Sequence, residues 1–248
     1  MAGLADKNAG ELWSYNPNTR QVKKIGSPSG SDQLWSSTVD EKGNVYVGTY
    51  PTGKIIKYDV ETKTFIDFGR IDSGNEYVRS LAYHDGYVYA GLGVVGKVYK
   101  INAETKEKED ITGEAVKIIG KESSSIKFVY DMAVIGDYLF AKFDNGEEDA
   151  LLFYDLKEQK WLDKKLAKPH NGSEDDYGVF SFHQLPVYDN KVYLVFERHI
   201  QAIDLNTFEV TNTGIPIKVG FRGASFIDFE GEGLLSNRLC SDEPTVDE

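Results

Sequence analysis

The sequence contains one cysteine, Cys240, in a polar C-terminal stretch, which excludes an internal disulfide framework and a cysteine-rich zinc site. Nor does any run approach the roughly 18 apolar residues that a membrane-spanning helix requires. The first residues lack the charged and apolar regions of a secretory signal, so the compartment stays open between the cytoplasm and an extracellular place in a longer secreted protein. Positive charge is scarce: 28 Lys and Arg face 40 Asp and Glu, for a formal charge of −12. Such a field repels polyanions and argues against nucleic acid or an anionic membrane as partner, although a small basic pocket inside an acidic shell is compatible with it. Histidine is sparse too, and His84, His170 and His199 fall in turns or loops without metal-ligand spacing. Neither a metal nor a cofactor is expected. A helix of useful length is also missing from the pattern, since the best candidate, Glu104 to Asp110, reads as a polar turn.

What the sequence does have is short strands in series. The 13 Phe and 15 Tyr suit half-buried strands, where a flat ring covers pleated surface. One phrase recurs, an apolar strand closing on Asp or Asn. Its closing residues are Asn16, Asp59, Asn102, Asp155 and Asp204, spaced 43, 43, 53 and 49 apart. A carboxylate or amide there can accept hydrogen bonds from backbone N–H groups just beyond it and hold a tight turn. A second phrase precedes all but the first: Val45-Tyr46-Val47-Gly48, Val88-Tyr89-Ala90-Gly91, Tyr138-Leu139-Phe140-Ala141 and Val192-Tyr193-Leu194-Val195. Ahead of each lies a turn rich in Asp, Asn and Gly, residues that tolerate the positive φ of hairpin turns. A third strand begins near Trp35, Val78, Tyr130 and Phe182.

Three strands plus the run after each Asp or Asn turn make one four-stranded unit. The expected fold is therefore all-β, a β-propeller of four-stranded blades. The chain opens with an orphan outer strand pair near residues 11–25 and closes with an orphan inner pair at 223–237. Joining the two predicts five blades in a closed ring, which removes exposed sheet edges; a fragment of a seven- or eight-bladed propeller is the alternative. The propeller is expected over residues 10–237, preceded by a disordered or added stretch at 1–9 and followed by an acidic tail at 238–248. The string Gly91-Leu92-Gly93-Val94-Val95-Gly96 matches a dinucleotide-binding pattern, but it joins two strands with no following helix to receive a phosphate, and is read as a hairpin. Long inserts at 112–126 and 164–178 are the expected surface for a protein partner.

The phrases Gly48-Thr49-Tyr50-Pro51, Tyr58-Asp59-Val60-Glu61-Thr62 and Tyr77-Val78-Arg79-Ser80 resemble the bacterial group of Tyr-Val-rich and quinoprotein-like β-propellers. The resemblance is strongest over residues 33–111 and thin beyond about 145. It implies the fold rather than an activity, because the group includes lyases, hydrolases, binding modules and scaffolds. Some members sit at the front of secreted polysaccharide-processing proteins. Repeated Gly-Trp stretches typical of quinone-binding members are missing here, and so is the Trp-Asp signature of the WD40 type.

In a propeller the innermost strand of each blade lines the axis, so equivalent positions meet despite wide separation in sequence. Counting nine residues back from the Val-Tyr phrases aligns Ser36, Arg79 and His183, with Asp131 as the match in the third blade and Arg222 near the match in the fifth. Their neighbours Trp35, Val78, Tyr130 and Phe182 are expected to pack against adjacent blades, with Trp35 and Tyr130 at the wall of an axial mouth. This predicts a polar mouth in which Arg79 and Arg222, with Ser36 and Trp35, hold a small anionic molecule or a carbohydrate, since planar guanidinium forks suit carboxylates. The enzymatic alternative makes His183, Tyr130 and Asp131 the acid–base set of a lyase that acts on a uronate-containing sugar. The bland alternative is an ion-paired channel lining.

Overall fold

The computed structural model describes residues 10–28, 33–169, 187–196, 199–216, 221–229 and 232–239. These residues build antiparallel four-stranded units in chain order, the second and third of them joined into one eight-stranded sheet by a bridge between Gly93 and Phe128. Blade I is β3 (Gln33–Val39), β4 (Val45–Tyr50), β5 (Lys54–Asp59) and β6 (Thr64–Arg70), paired in that order. Blade II repeats the pattern with β7 (Tyr77–His84), β8 (Tyr87–Gly93), β9 (Val98–Asn102) and β10 (Lys108–Asp110). Blade III has β11 (Phe128–Ile135), β12 (Tyr138–Asp144), β13 (Glu148–Asp155) and β14 (Lys160–Pro169). Blade IV has β15 (Val187–Tyr188), β16 (Lys191–Phe196), β17 (His199–Asp204) and β18 (Val210–Pro216). Two half-blades remain, β1 (Leu12–Asn16) with β2 (Gln21–Gly26), and β19 (Phe221–Phe229) with β20 (Glu232–Leu239).

The recurring Asp and Asn residues act as the sequence suggests. In all five copies the side-chain oxygen accepts the backbone N–H groups two and three residues on, as Asp59 does from Glu61 (3.2 Å) and Thr62 (2.9 Å). Four residues after each one the chain turns left-handed, at Arg20, Lys63, Lys106, Gln159 and Phe208. Non-glycine residues seldom adopt that conformation. Its fivefold recurrence marks one local turn used five times.

The cores lie between blades. Tyr46, Ile55 and Phe68 of blade I meet Val78, Leu81 and Leu92 of blade II. Val129, Met132 and Leu139 of blade III meet Ala82, Tyr89 and Val98 of blade II, and Phe140, Leu151 and Phe153 meet Val192, Leu194 and Ile203 of blade IV. Each fully buried Phe or Leu contributes about 1.5–3 kcal/mol. Leu12 and Ile25 of β1–β2 cover Val45, Val47 and Ile56 on the far face of blade I. Among the described residues no ladder joins β1–β2 to β19–β20; each is a separate two-stranded sheet.

Two expectations need correction. Residues 112–126 are not an open loop: Thr112–Ile119 form a helix, α1, followed by a 3-10 turn at Ser123–Ser125. Thr112, Ala115 and Ile119 form its buried stripe, the spacing of one helical face, and Gly120 closes it in the left-handed conformation (φ 76°). The second insert starts late, because residues 164–169 belong to β14; residues 170–178 lie outside the described set. Within the described residues no helix is long and apolar enough to cross a membrane.

Candidate functional site

The inner strands β3, β7 and β11 carry the same irregularity. Register shifts between Leu34 and Ser36, between Val78 and Ser80, and between Val129 and Asp131. The residues left over are Trp35, Arg79 and Tyr130. A β-bulge turns one side chain out of the alternation, and here it does so at one height in three successive blades.

This geometry corrects the sequence register by one residue. Ser36 pairs with Gly48, Ser80 with Gly91, and Asp131 with Lys142. The hairpin of blade I spans residues 40–44, whereas that of blade II has only Asp85 and Gly86 between its paired ends. A fixed count of nine therefore reaches Ser36 in one blade and overshoots Ser80 to Arg79 in the next. Ser36, Ser80 and Asp131 form one set; Trp35, Arg79 and Tyr130 form the other. Val78 packs fully buried in the core between blades I and II, as expected of it, and does not join Trp35 and Tyr130 at the bulge position.

The first set stitches blades together. Ser36 Oγ donates to the Val78 carbonyl and Ser80 Oγ to the Val129 carbonyl, both at 2.8 Å. Blades come so close here that a Cβ on Gly48 would lie 2.6 Å from Val78 Cγ1, and one on Gly91 2.8 Å from Val129 Cγ1. That explains the glycine that closes the first two of these phrases, Gly48 and Gly91. In blade III the equivalent pair is Asp131 and Lys142, and Lys142 Nζ makes a largely buried ion pair with Asp149 at 3.1 Å.

The second set converges. Arg79 Cζ lies 4.7 Å from the Trp35 ring centroid and 4.9 Å from that of Tyr130. Blade II thus holds its guanidinium between rings supplied by blades I and III, a favourable cation–π geometry. Further rings surround the three. Tyr77 stacks on Tyr50 at 3.9 Å and meets Trp35 edge-on at 5.6 Å, while Phe128 contacts both Tyr77 (5.9 Å) and Tyr130 (5.1 Å). Trp35 stays 41% exposed, so the group opens to solvent. Among the described residues, no hydrogen bond or ion pair engages the guanidinium of Arg79. Lys142 adds a second cation 5.9 Å from the Tyr130 ring. Tyr50, Tyr77, Phe128 and Lys142 are participants that the sequence argument missed. Tyr50 and Tyr77 stood inside the quoted Gly-Thr-Tyr-Pro and Tyr-Val-Arg-Ser phrases, so an aromatic at the mouth end of each strand was the available signal.

Electrostatics keep the phenols protonated. Burial, with the nearby Asp144 carboxylate, raises the Tyr130 hydroxyl above its ordinary value, and Arg79 only partly offsets this. The hydrogen bond with Tyr50, together with burial, pushes Tyr77 up to about 12. Beneath Tyr77 the chain entering β7 is braced by Asp72. Its carboxylate accepts from Lys97 Nζ (2.7 Å), Tyr99 Oη (3.0 Å) and Asn75 Nδ2 (2.9 Å). Burial alone would raise Asp72, but these bonds outweigh it and hold the carboxyl below its usual range.

Of the other residues singled out, Arg222 lies on β19 within the register shift between Phe221 and Ala224. His183 lies outside the described residues, as do Phe182 and His170. No group of three or more His, Cys, Asp or Glu among the described residues is arranged to hold a metal ion.

No family model matches the chain, and no curated protein matches it. Solved structures do. A streptogramin B lyase aligns with 97% of this chain and 86% of its own, at 10% identity and a TM-score of 0.64. The extracellular domain of a hybrid two-component system from B. thetaiotaomicron aligns with 88% of this chain at 14% identity and a TM-score of 0.59. A chain of the mitotic checkpoint complex aligns with 87% at 13% identity and a TM-score of 0.57. This chain spans 29% of the second structure's chain and 62% of the third's. At such identities the likeness establishes the architecture, an all-β, propeller-like fold, and the three names have no activity in common.

Proposed function

We propose that this chain is a ligand-binding β-propeller whose axial mouth takes a small anionic molecule or a carbohydrate. One observation carries the reading. Arg79 is half-buried among aromatic rings, yet none of its five N–H donors is engaged among the described residues. Donors at a solvent-open face can exchange water for the acceptors of a ligand, and a cation at an open mouth in a protein of charge −12 is suited to drawing an anion from solution. Arg222, within the register shift of β19, is the second cation of this proposal. Ser36 contributes through the backbone it fixes, since its hydroxyl is already spent on Val78. Trp35 emission reports occupancy: titrating acidic and neutral oligosaccharides should change it in the parent protein and leave it unchanged in Arg79→Ala.

The lyase alternative draws on Tyr130, a phenol kept protonated beside Arg79, and on His183 and Asp131 as base and orienting acid. New ultraviolet absorbance from an unsaturated uronate product would favour it over simple binding. The scaffold reading loses support at 112–126, which is occupied by a helix packed on its own chain.

The same proposal includes a closed ring of five blades. β3 is the one innermost strand of blades I to III with no buried residue, Val39 is 51% exposed, and a cleft of about 170 Å³ opens along Leu34, Ser37 and Leu12. β19 already lies alongside β16. Seating β19–β20 between blades IV and I would cover β3 and complete the blade begun by β1–β2.

A further inference from the structure

We infer that the ligand of this mouth is a carboxylated sugar, with its carboxylate taken in the plane of the Arg79 guanidinium and its ring laid on the exposed Trp35 indole. This rests on the binding reading above and narrows it. The two rings leave only one edge of the guanidinium available. With Trp35 and Tyr130 on its flanks at 4.7 and 4.9 Å, Arg79 can meet a partner only along its N–H edge. A planar group presenting two oxygens in one plane fits that edge with two parallel hydrogen bonds. A tetrahedral sulfate or phosphate directs its remaining oxygens out of the plane, toward the faces of aromatic rings, whose π clouds are negative.

The surroundings select further. The rings nearest Arg79 are Trp35 and Tyr130, with Tyr50, Tyr77 and Phe128 packed around them; Lys142 is paired with Asp149, and Asp131 and Asp144 add negative charge near Tyr130. Highly charged oxyanions would find one cation and an acidic protein around it. A uronate residue, with one carboxylate on its pyranose, presents that single charge to the cation and its C–H face to a shelf. Trp35, at 41% exposure and directly beside Arg79, is that shelf, and Tyr50 and Tyr77 meet it edge-on, which fixes its tilt.

The test is calorimetric titration of the parent protein with four probes: trigalacturonate, trimannuronate, the methyl ester of trigalacturonate, and a sulfated galactose trisaccharide of equal charge. At least one uronate trisaccharide should bind, and the ester and the sulfated sugar should bind at least tenfold more weakly. Arg79→Lys should erase the preference for carboxylate over sulfate, because an ammonium has no planar fork. Trp35→Ala should weaken uronate binding at least tenfold, with an unchanged urea midpoint. A sulfated sugar that binds as well as the uronates, or an ester that does, overturns this inference and leaves the broader reading standing. If none of the four binds, both fall.

Discussion

Ser36 Oγ donates to the carbonyl of Val78 at 2.8 Å, and this bond between two blades sets what stands next to it. Trp35 precedes Ser36 and Arg79 follows Val78, so the stitch that joins the inner strands brings the indole and the guanidinium together. The next stitch, Ser80 to Val129, does the same for Arg79 and Tyr130. Structure and candidate site share one repeat.

The stitch is testable by stability. Ser80→Ala should cost about 1–2 kcal/mol in urea unfolding, the scale of a buried hydrogen bond whose acceptor is left behind. Gly91→Ala should cost about 1–3 kcal/mol through overpacking against Val129. Unfolding midpoints equal to the parent's in both variants would mean the blades are not this close in solution.

Ring closure predicts a long-range effect of the C-terminal strands. Removing residues 217–248 should speed amide exchange in β3, more than 170 residues away in sequence, because β19–β20 would no longer cover it. Unchanged protection of β3, read by mass spectrometry, would argue for an open array.

Asp72 gives a pH signature. Its folded value lies below the ordinary carboxylate value, so its contribution is complete above about pH 4 and is lost as pH falls through the lowered value. Asp72→Asn should lower stability near neutral pH by about 1–2 kcal/mol, discounted for a site open on one side. It should also flatten the steep acid limb below pH 4. Parallel pH–stability curves for parent and variant would show that the Lys97–Tyr99–Asn75 bonds contribute nothing net.

The legible part of this molecule was its local chemistry. The five Asp and Asn turns depend on bonds to residues two and three positions on, so a single strand of text contains the whole motif. The hairpin at Asp85-Gly86 was equally visible. Harder to read was the meeting of Arg79 with Trp35 and Tyr130, because it depends on counting across hairpins of unequal length. A loss of one residue in that count exchanges the two faces of a strand, which is how Ser36 came to stand in place of Trp35 beside Arg79. The bulge that turns these side chains toward one another leaves no compositional mark. Helix α1 was overlooked because eight residues hold only two turns of periodicity, and Thr112, Ala115 and Ile119 do not stand out in so short a run.

The central claim is that Arg79 is held between two rings with its donors free for a ligand. Side-chain ¹H–¹⁵N NMR of the Arg79 Nε–Hε group tests it most directly. The account predicts a signal upfield of ordinary exposed arginines, shifted by the ring currents of Trp35 and Tyr130, returning toward the ordinary position in Trp35→Ala and moving downfield as trigalacturonate is added. A signal at the ordinary position that neither the substitution nor the sugar displaces would contradict it.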